Sequence, residues 1–229
     1  TSDLQLLGDG GTPVDSDLIT SYTSYLLTSL QELSDSIEAE EEAIVREAKL
    51  QELHSILTTI DFLIDQKNTQ GEDLDYHTLV SLSYSSLIEK IIKHPKAIQL
   101  TFITSLAKVA HKLDSPEKRD ALCQLILDFS SDNPTASAQT LNWIKQLEAI
   151  SPSSLYARAL SKISFPLIEN FLSQNQLSES FEILHQPFLF YNPKNLIHFF
   201  ELSKHGKIRA ALQEDELIEE RRFFHSQYS

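Results

Sequence analysis

The residues best suited to acid–base chemistry are histidines and carboxylates near the end of the chain. His185 follows Glu182 by three residues, and His198 precedes Glu201 by three. An imidazole beside a carboxylate can act as a general base, so a cleft that brought these groups together would be a candidate active site. We keep an enzyme with an unrecognised site as the least favoured interpretation of the function.

Sequence motifs of known catalytic chemistry are missing from the chain. It has no GxGxxG, GxxxxGK[ST], GxSxG or HExxH pattern and a single cysteine, Cys123. The eight histidines include no i, i+4 pair that would place two metal ligands on one helix face. The stretch from Asp65 to His77 fails as a calcium loop, because Gln66, Leu74 and His77 occupy ligand positions. We therefore expect no catalytic residue, no metal site, no cofactor and no enzymatic activity, and a buried Cys123 in a reducing compartment.

A local excess of basic residues between Tyr76 and Arg119 is the first feature that could bind a partner. Its candidate partner-binding side chains are Lys90, Lys93, Lys96, Lys108 and Lys112. They are either ordinary surface lysines or a face that docks against the acidic N-terminal part of the chain, or against an acidic partner that competes with it. With so few charges and no interleaved aromatic residues, a nucleic acid is not the expected partner.

The second feature is an aromatic connector, HQPFLFYNP, between His185 and Pro193. Its aromatic residues can pack in the core, or Phe188, Phe190 and Tyr191 can anchor a partner protein, since aromatic side chains dominate interface hot spots. A connector is less obliged to be buried than a helix, which favours Phe188 and Phe190 as exposed anchors.

The formal charge of −14 is confined to the first third of the sequence. Residues 1–75 hold 17 acidic and three basic side chains, whereas residues 76–229 hold 16 of each. A tract of this sign repels phosphates and anionic lipid. No apolar run is long enough to span a membrane and no leader is visible, so we expect a soluble chain. The absence of Met and the start at Thr1 indicate a fragment, a processed form or missing residues.

The elements that position these side chains are helices. The longest periodic stretch, Ser34 to Gln66, carries apolar residues at steps of three and four: Ile44, Ala48, Leu53, Ile56, Leu57, Ile60, Leu63 and Ile64. A preceding helix from Asp17 has its own apolar face: Leu18, Ile19, Tyr22, Leu26, Leu30 and Leu33. Ser34 to Ser36 predicts a break that folds the two helices into an antiparallel hairpin; one continuous helix is the alternative.

Prolines mark the later helices. Pro95, Pro116, Pro134 and Pro152 are spaced 18 to 21 residues apart, and proline is favoured at the first position of a helix. The two-helix units of this length match those of helical-hairpin repeats. Asn170 to Leu184, NFLSQNQLSESFEIL, resembles the turn and second helix of a tetratricopeptide-type hairpin, with Gln and Ser where such repeats favour Gly and Ala. Pro166 either kinks its helix or separates two short ones.

Together these patterns predict an all-α protein. Residues 1–16 form a flexible lead-in, residues 17–75 an acidic helical hairpin, and residues 76–229 a stack of antiparallel helices that is repeat-like or an irregular bundle. We expect a non-enzymatic, cytoplasmic protein-binding module, such as an adaptor, scaffold or regulatory subunit. A bacterial secreted effector acting in a host cell, or a secretion-associated chaperone, is the second interpretation. The sequence does not give the partner or the oligomeric state.

Overall fold

The computed structural model describes residues 16–70, 74–150 and 154–202. Within these ranges the chain forms α-helices and short 3-10 helices and has no strand, which confirms the predicted all-α class. The α-helices are α1 (Ser16–Glu38), α2 (Ala43–Gln70), α3 (Leu74–Ser85), α4 (Ile88–Ile91), α5 (Lys96–Lys108), α6 (Pro116–Asp132), α7 (Ser137–Glu148), α8 (Ser154–Ser173), α9 (Leu177–Leu184) and α10 (Lys194–Leu202). The 3-10 helices are Ala110–Lys112, Pro134–Ala136 and Pro187–Tyr191.

The chain divides into two compact units, Thr1–Phe129 and Ser130–Ser229. In the first unit α2 is the central helix, and it packs most extensively against α1 and α5. Its core side chains are fully buried: Leu53, Leu57, Ile60, Leu63 and Ile64. The acidic hairpin is therefore part of the core of this unit. Burial of each such side chain contributes about 1.5–3 kcal/mol to the stability of the fold.

The break between α1 and α2 begins five residues later than predicted, at Ala39 instead of Ser34. Ser34 to Ser36 remain helical, and Ile37, which is buried one turn farther on, keeps α1 intact to Glu38. The chain turns instead at Ala39–Glu42, where the Glu40 carboxylate accepts hydrogen bonds from the backbone N–H of Glu42 (3.1 Å) and from Lys49 Nζ (2.6 Å). The hydrogen bond from Lys49, with that from Glu42, holds the pKa of Glu40 below its usual value.

Several side chains assigned to the apolar faces are exposed. Leu18 and Tyr22 of α1 face solvent, because Ile19, Leu26 and Leu30 take the core side of that helix. Ile44 and Ala48 are exposed in the first turns of α2. Each helix has more apolar residues than one buried face can accommodate, so tertiary packing selects among them.

The prolines open helices as predicted. α6 begins at Pro116, Pro134 opens a 3-10 turn before α7, and Pro95 directly precedes α5. The buried Gln99 side chain donates to the carbonyl oxygens of Ile92 (2.9 Å) and His94 (2.8 Å) and so fixes the chain entering α5. Pro152 lies outside the described residues.

The second unit is built around α8, which packs against α7, α9, α10 and the 3-10 helix Pro187–Tyr191. Pro166 lies inside α8 without ending it. The tetratricopeptide-like stretch does form a turn and a helix: the N–H groups of Asn175 and Gln176 donate to the carbonyls of Leu172 and Phe171, closing a Schellman motif. Asn175 sits at φ 59°, the left-handed position that such motifs usually fill with glycine.

None of the described helices is both long and apolar enough to cross a bilayer. The predicted lead-in lies outside the described residues apart from Ser16, which opens α1. Residues 203–229 also lie outside them.

Candidate functional site

Two of the candidate basic residues pair with carboxylates of α1. Lys90 Nζ contacts Asp35, and Lys93 Nζ lies 3.1 Å from Glu38 Oε1. Asp35 and Glu38 of α1 are three residues apart, as are Lys90 in α4 and Lys93 in the turn that follows it, so the two pairs match in spacing. The Lys90 hydrogen bond holds the pKa of Asp35 below its usual value.

A third candidate, Lys108 of α5, joins two carboxylates of α2. Its ammonium lies 2.9 Å from Asp61 Oδ1 and 2.8 Å from Asp65 Oδ2, and the Ser105 hydroxyl donates to the same Asp61 oxygen at 2.9 Å. Burial acts to lower the pKa of Lys108, but hydrogen bonds to Asp65 and Asp61 outweigh it and raise the pKa. These contacts fix the position of α5 against α2.

The other two basic candidates lie elsewhere in the first unit. Lys96 Nζ lies 5.8 Å from the centre of the Phe129 ring and 3.3 Å from Gln99 Oε1. Lys112 is half-buried in the 3-10 helix Ala110–Lys112. Three of the five lysines thus pair with the acidic hairpin of their own chain, and a role in binding another protein stays a prediction for all five.

The aromatic connector is more buried than expected. Phe188 is 3% exposed, so the expectation that it forms an exposed anchor is wrong. The connector winds into a 3-10 helix that packs on α8, which turns Phe188 and Leu189 inward. Phe190 is half-buried and meets Phe199 edge to face, with ring centres 6.3 Å apart. Tyr191 remains on the surface, 58% exposed.

Asn195 fixes the orientation of α10. Its buried side-chain amide donates to the carbonyl oxygens of Ser161 in α8 (2.8 Å) and Leu189 in the 3-10 helix (2.6 Å). A buried amide with both hydrogen bonds made allows little rotation of the helix that carries it. The opposite side of α10 is consequently held toward solvent.

That outward side carries a set of apolar residues, which we call the α10 face: Leu196, Ile197 and Phe200. Their exposed fractions are 38%, 63% and 63%. None of the three was selected from the sequence as a partner-binding residue. Their i, i+1, i+4 spacing was the available signal, but only the burial of Asn195 shows that this side faces outward.

The four residues considered for catalysis make separate contacts within the second unit. Glu182 Oε2 pairs with Lys145 Nζ at 2.7 Å, and His185 Nδ1 lies 2.6 Å from the carbonyl oxygen of Phe181. His198 Nδ1 and Glu201 Oε2 are 3.8 Å apart on the exposed surface of α10. Among the described residues, no three His, Cys, Asp or Glu side chains form a group that could hold a metal ion. Cys123 is buried in α6.

Comparisons with known proteins add no functional information. No protein-family model, curated protein or solved structure matches the chain.

Proposed function

We propose that this protein is a non-enzymatic protein-binding module, an adaptor, scaffold or regulatory subunit, that contacts its partner through the α10 face. The observation that carries the proposal is the exposure of Leu196, Ile197 and Phe200 on one side of a helix that Asn195 holds in place. Tyr191, at the end of the preceding 3-10 helix, adds an exposed aromatic side chain. Large apolar and aromatic side chains of this kind supply most of the energy at protein interfaces.

Burial of this surface by a partner would contribute favourably to binding. Covering a side chain such as Ile197 or Phe200 contributes about 1.5–3 kcal/mol when burial is complete. Because α10 is already ordered, binding loses little conformational entropy in this helix. The lysines of the first unit are a weaker candidate, since Lys90, Lys93 and Lys108 are paired within the chain.

Photo-crosslinking tests the proposal directly. Ile197 is replaced by a photoreactive phenylalanine analogue in the full chain, and the same replacement at Ile44, which is also highly exposed, is the control. We expect one discrete crosslinked protein from position 197 in source-cell lysate, and none from position 44. Phe200→Glu should reduce this crosslink by about tenfold or more, because it places a charge in the apolar contact.

Crosslinks that are the same from both positions would contradict the proposal, as would a crosslink that Phe200→Glu leaves unchanged. Exclusively intramolecular crosslinks from position 197 would show that the α10 face is covered by the chain itself. Thermal unfolding of the Phe200→Glu variant separates loss of binding from loss of fold.

We place the protein in the cytoplasm as part of the same proposal, and its unbridged, buried Cys123 is in keeping with a reducing compartment. A bacterial protein exported into a host cell is the alternative. Fractionation of source cells and growth medium distinguishes the two locations.

A further inference from the structure

A second exposed apolar surface lies on α1, in the first unit. Leu18, Tyr22 and Tyr25, which we call the α1 stripe, follow each other at i, i+4 and i+7 and are 60%, 40% and 66% exposed. At 100° per residue these positions fall within about 60° around the helix axis. They therefore form one continuous stripe on the side of α1 that faces solvent.

The rest of α1 keeps this stripe outward. Ile19, Leu26, Leu30 and Ile37 are buried on the adjoining side of the helix, about 90° around the axis from the stripe. The buried Thr23 hydroxyl lies 3.1 Å from the Tyr76 hydroxyl of α3, which ties α1 to its neighbour. Rotation of α1 to cover the stripe would expose this core, so the stripe is a fixed feature of the folded unit.

The charge around the stripe identifies the chemistry of what fits it. α1 contains Asp17, Glu32, Asp35 and Glu38 and no Lys, Arg or His. Glu32 is exposed and lies seven residues after Tyr25, which puts its carboxylate on the same line of the helix. A complementary surface has apolar side chains opposite Leu18, Tyr22 and Tyr25 and a positive charge opposite Glu32.

The acidic charge of α1 also argues against two other occupants of the stripe. A second copy of this chain would bring its own acidic α1 against the first, within a region of 17 acidic and three basic residues from 1 to 75. An anionic membrane surface would be repelled for the same reason. A basic, amphipathic helix is attracted by the same field and supplies the apolar contact.

We propose that the α1 stripe is a docking site for an amphipathic helix of a partner protein that carries lysine or arginine beside its apolar face. The antiparallel or parallel packing of two such helices buries the stripe at i, i+4 and i+7 and pairs Glu32 with a basic side chain. This site is independent of the α10 face, so the protein has one docking surface in each unit, as an adaptor requires.

Three labelled peptides of about 20 residues test the proposal. They share one apolar helical stripe and differ only in the flanking residues, which are Lys, Gln or Glu. Each is titrated with the full-length protein by fluorescence anisotropy at low and moderate salt. We expect the Lys peptide to bind about tenfold or more tightly than the Glu peptide, with the difference decreasing as salt rises.

Substitutions locate the binding to the stripe. Tyr25→Glu should weaken binding of the Lys peptide by about tenfold or more, and Glu32→Lys should reverse the preference toward the Glu peptide. Ile44→Glu, at another exposed apolar position of the acidic hairpin, is the matched control and should leave binding unchanged. Ile197→Glu on the α10 face should also have no effect, so this test can fail or succeed independently of the proposed function.

Several results would overturn the proposal. These are equal binding of the three peptides, no binding of any, no loss in Tyr25→Glu, or an equal loss in Ile44→Glu. A concentration-dependent dimer in sedimentation that Tyr25→Glu abolishes would assign the stripe to a second copy instead. Because the substituted side chains are exposed, melting temperatures within about 2 °C of the unmodified protein verify that each variant is folded.

Discussion

Lys90 of α4, Lys93 in the turn after it and Lys108 of α5 carry positive charges that contact the acidic hairpin. Their positive excess indicates a docking surface in the sequence, yet Lys90, Lys93 and Lys108 contact carboxylates of α1 and α2. These ion pairs differ in how much they stabilise the fold. The Lys93–Glu38 pair is largely exposed, whereas Lys108 is more than four-fifths buried between two carboxylates. Exposed ion pairs contribute little, because solvent screens them and the side chains lose entropy.

We expect Lys108→Met to lower the free energy of unfolding by about 1–3 kcal/mol, because it leaves Asp61 and Asp65 close together without their cation. Lys93→Met is the matched control and should cost less than about 0.5 kcal/mol. Urea unfolding followed by circular dichroism measures both. Equal losses in the two variants would contradict this ranking.

The titration of His94 makes the stability of the first unit depend on pH. Its imidazole is buried beside Glu38, Arg46 and Lys93, and burial lowers its pKa below the ordinary value of 6.5, with Glu38 acting in the opposite direction. The folded protein therefore holds His94 neutral where the unfolded chain already binds a proton. The stability that this provides is complete above pH 6.5 and decreases as pH falls toward the folded pKa.

Replacing His94 with Asn removes this titration. Between pH 7 and pH 5, the free energy of unfolding of the unmodified protein should fall more steeply than that of His94→Asn, by at most about 1.4 kcal/mol per pH unit. Urea titrations at a series of pH values give the two slopes. Equal slopes between pH 7 and pH 5 would show that a group other than His94 causes the pH dependence of the stability. The pKa values of Asp35 and Glu40 are lowered, so these two groups change the free energy of unfolding only at lower pH.

At the scale of the elements, helix ends decide where chain direction changes. The α8–α9 turn depends on Asn175 at φ 59°, with the N–H groups of Asn175 and Gln176 satisfying the last carbonyls of α8. Asparagine tolerates the left-handed conformation better than most residues, but glycine has no steric cost there. The turn holds α9 against α8 and thereby helps to build the second unit.

The stability of variants at Asn175 should therefore follow how easily each residue adopts the left-handed backbone conformation. Asn175→Ala should destabilise the protein by about 1 kcal/mol, and Asn175→Gly should be neutral or slightly stabilising. The emission of Trp143, the single tryptophan, which is buried in α7 of the same unit, follows unfolding of this part of the chain. An alanine variant as stable as the glycine variant would contradict the role assigned to the turn.

At the scale of the molecule, the acidic hairpin and the basic helices form one folded unit. The central helix α2 buries its apolar side chains against both α1 and α5. Its removal would expose α5 residues such as Phe102 and Leu106, which are fully buried. The hairpin could expose the lysines only by leaving α5, which would open this core. Binding of a partner protein is therefore better tested with point substitutions than with truncations.

A chain that begins at Tyr76 should accordingly lose the folded structure of residues 76–129. Hydrogen–deuterium exchange measures this: we expect the amides of α5 to be protected in the full chain and to exchange rapidly in the shortened one. The full chain carrying Ile44→Glu, which changes the hairpin without opening its core, is the control. Retained protection of α5 in the shortened chain would show that the hairpin is a separate arm.

The sequence by itself determined the helical class, the helix starts at Pro95, Pro116 and Pro134, and the confinement of net charge to residues 1–75. These follow from local rules, since proline restricts its own backbone and the residue before it, and charge is additive. The buried positions of α2 from Leu53 to Ile64 were also predictable, because one strong period of three and four dominates there.

Tertiary structure alone decided which apolar side chains remain outside. In α1 the sequence offers Leu18 and Tyr22 as well as Ile19 and Leu26, and packing against α2 and α3 selects the second pair. The burial of Phe188 and the exposure of Ile197 depend on how the 3-10 helix and Asn195 pack against α8. Leu18 and Tyr22 of the α1 stripe are thus residues that local periodicity assigns to a core, because a helix has two sides and only its neighbours determine which one is covered.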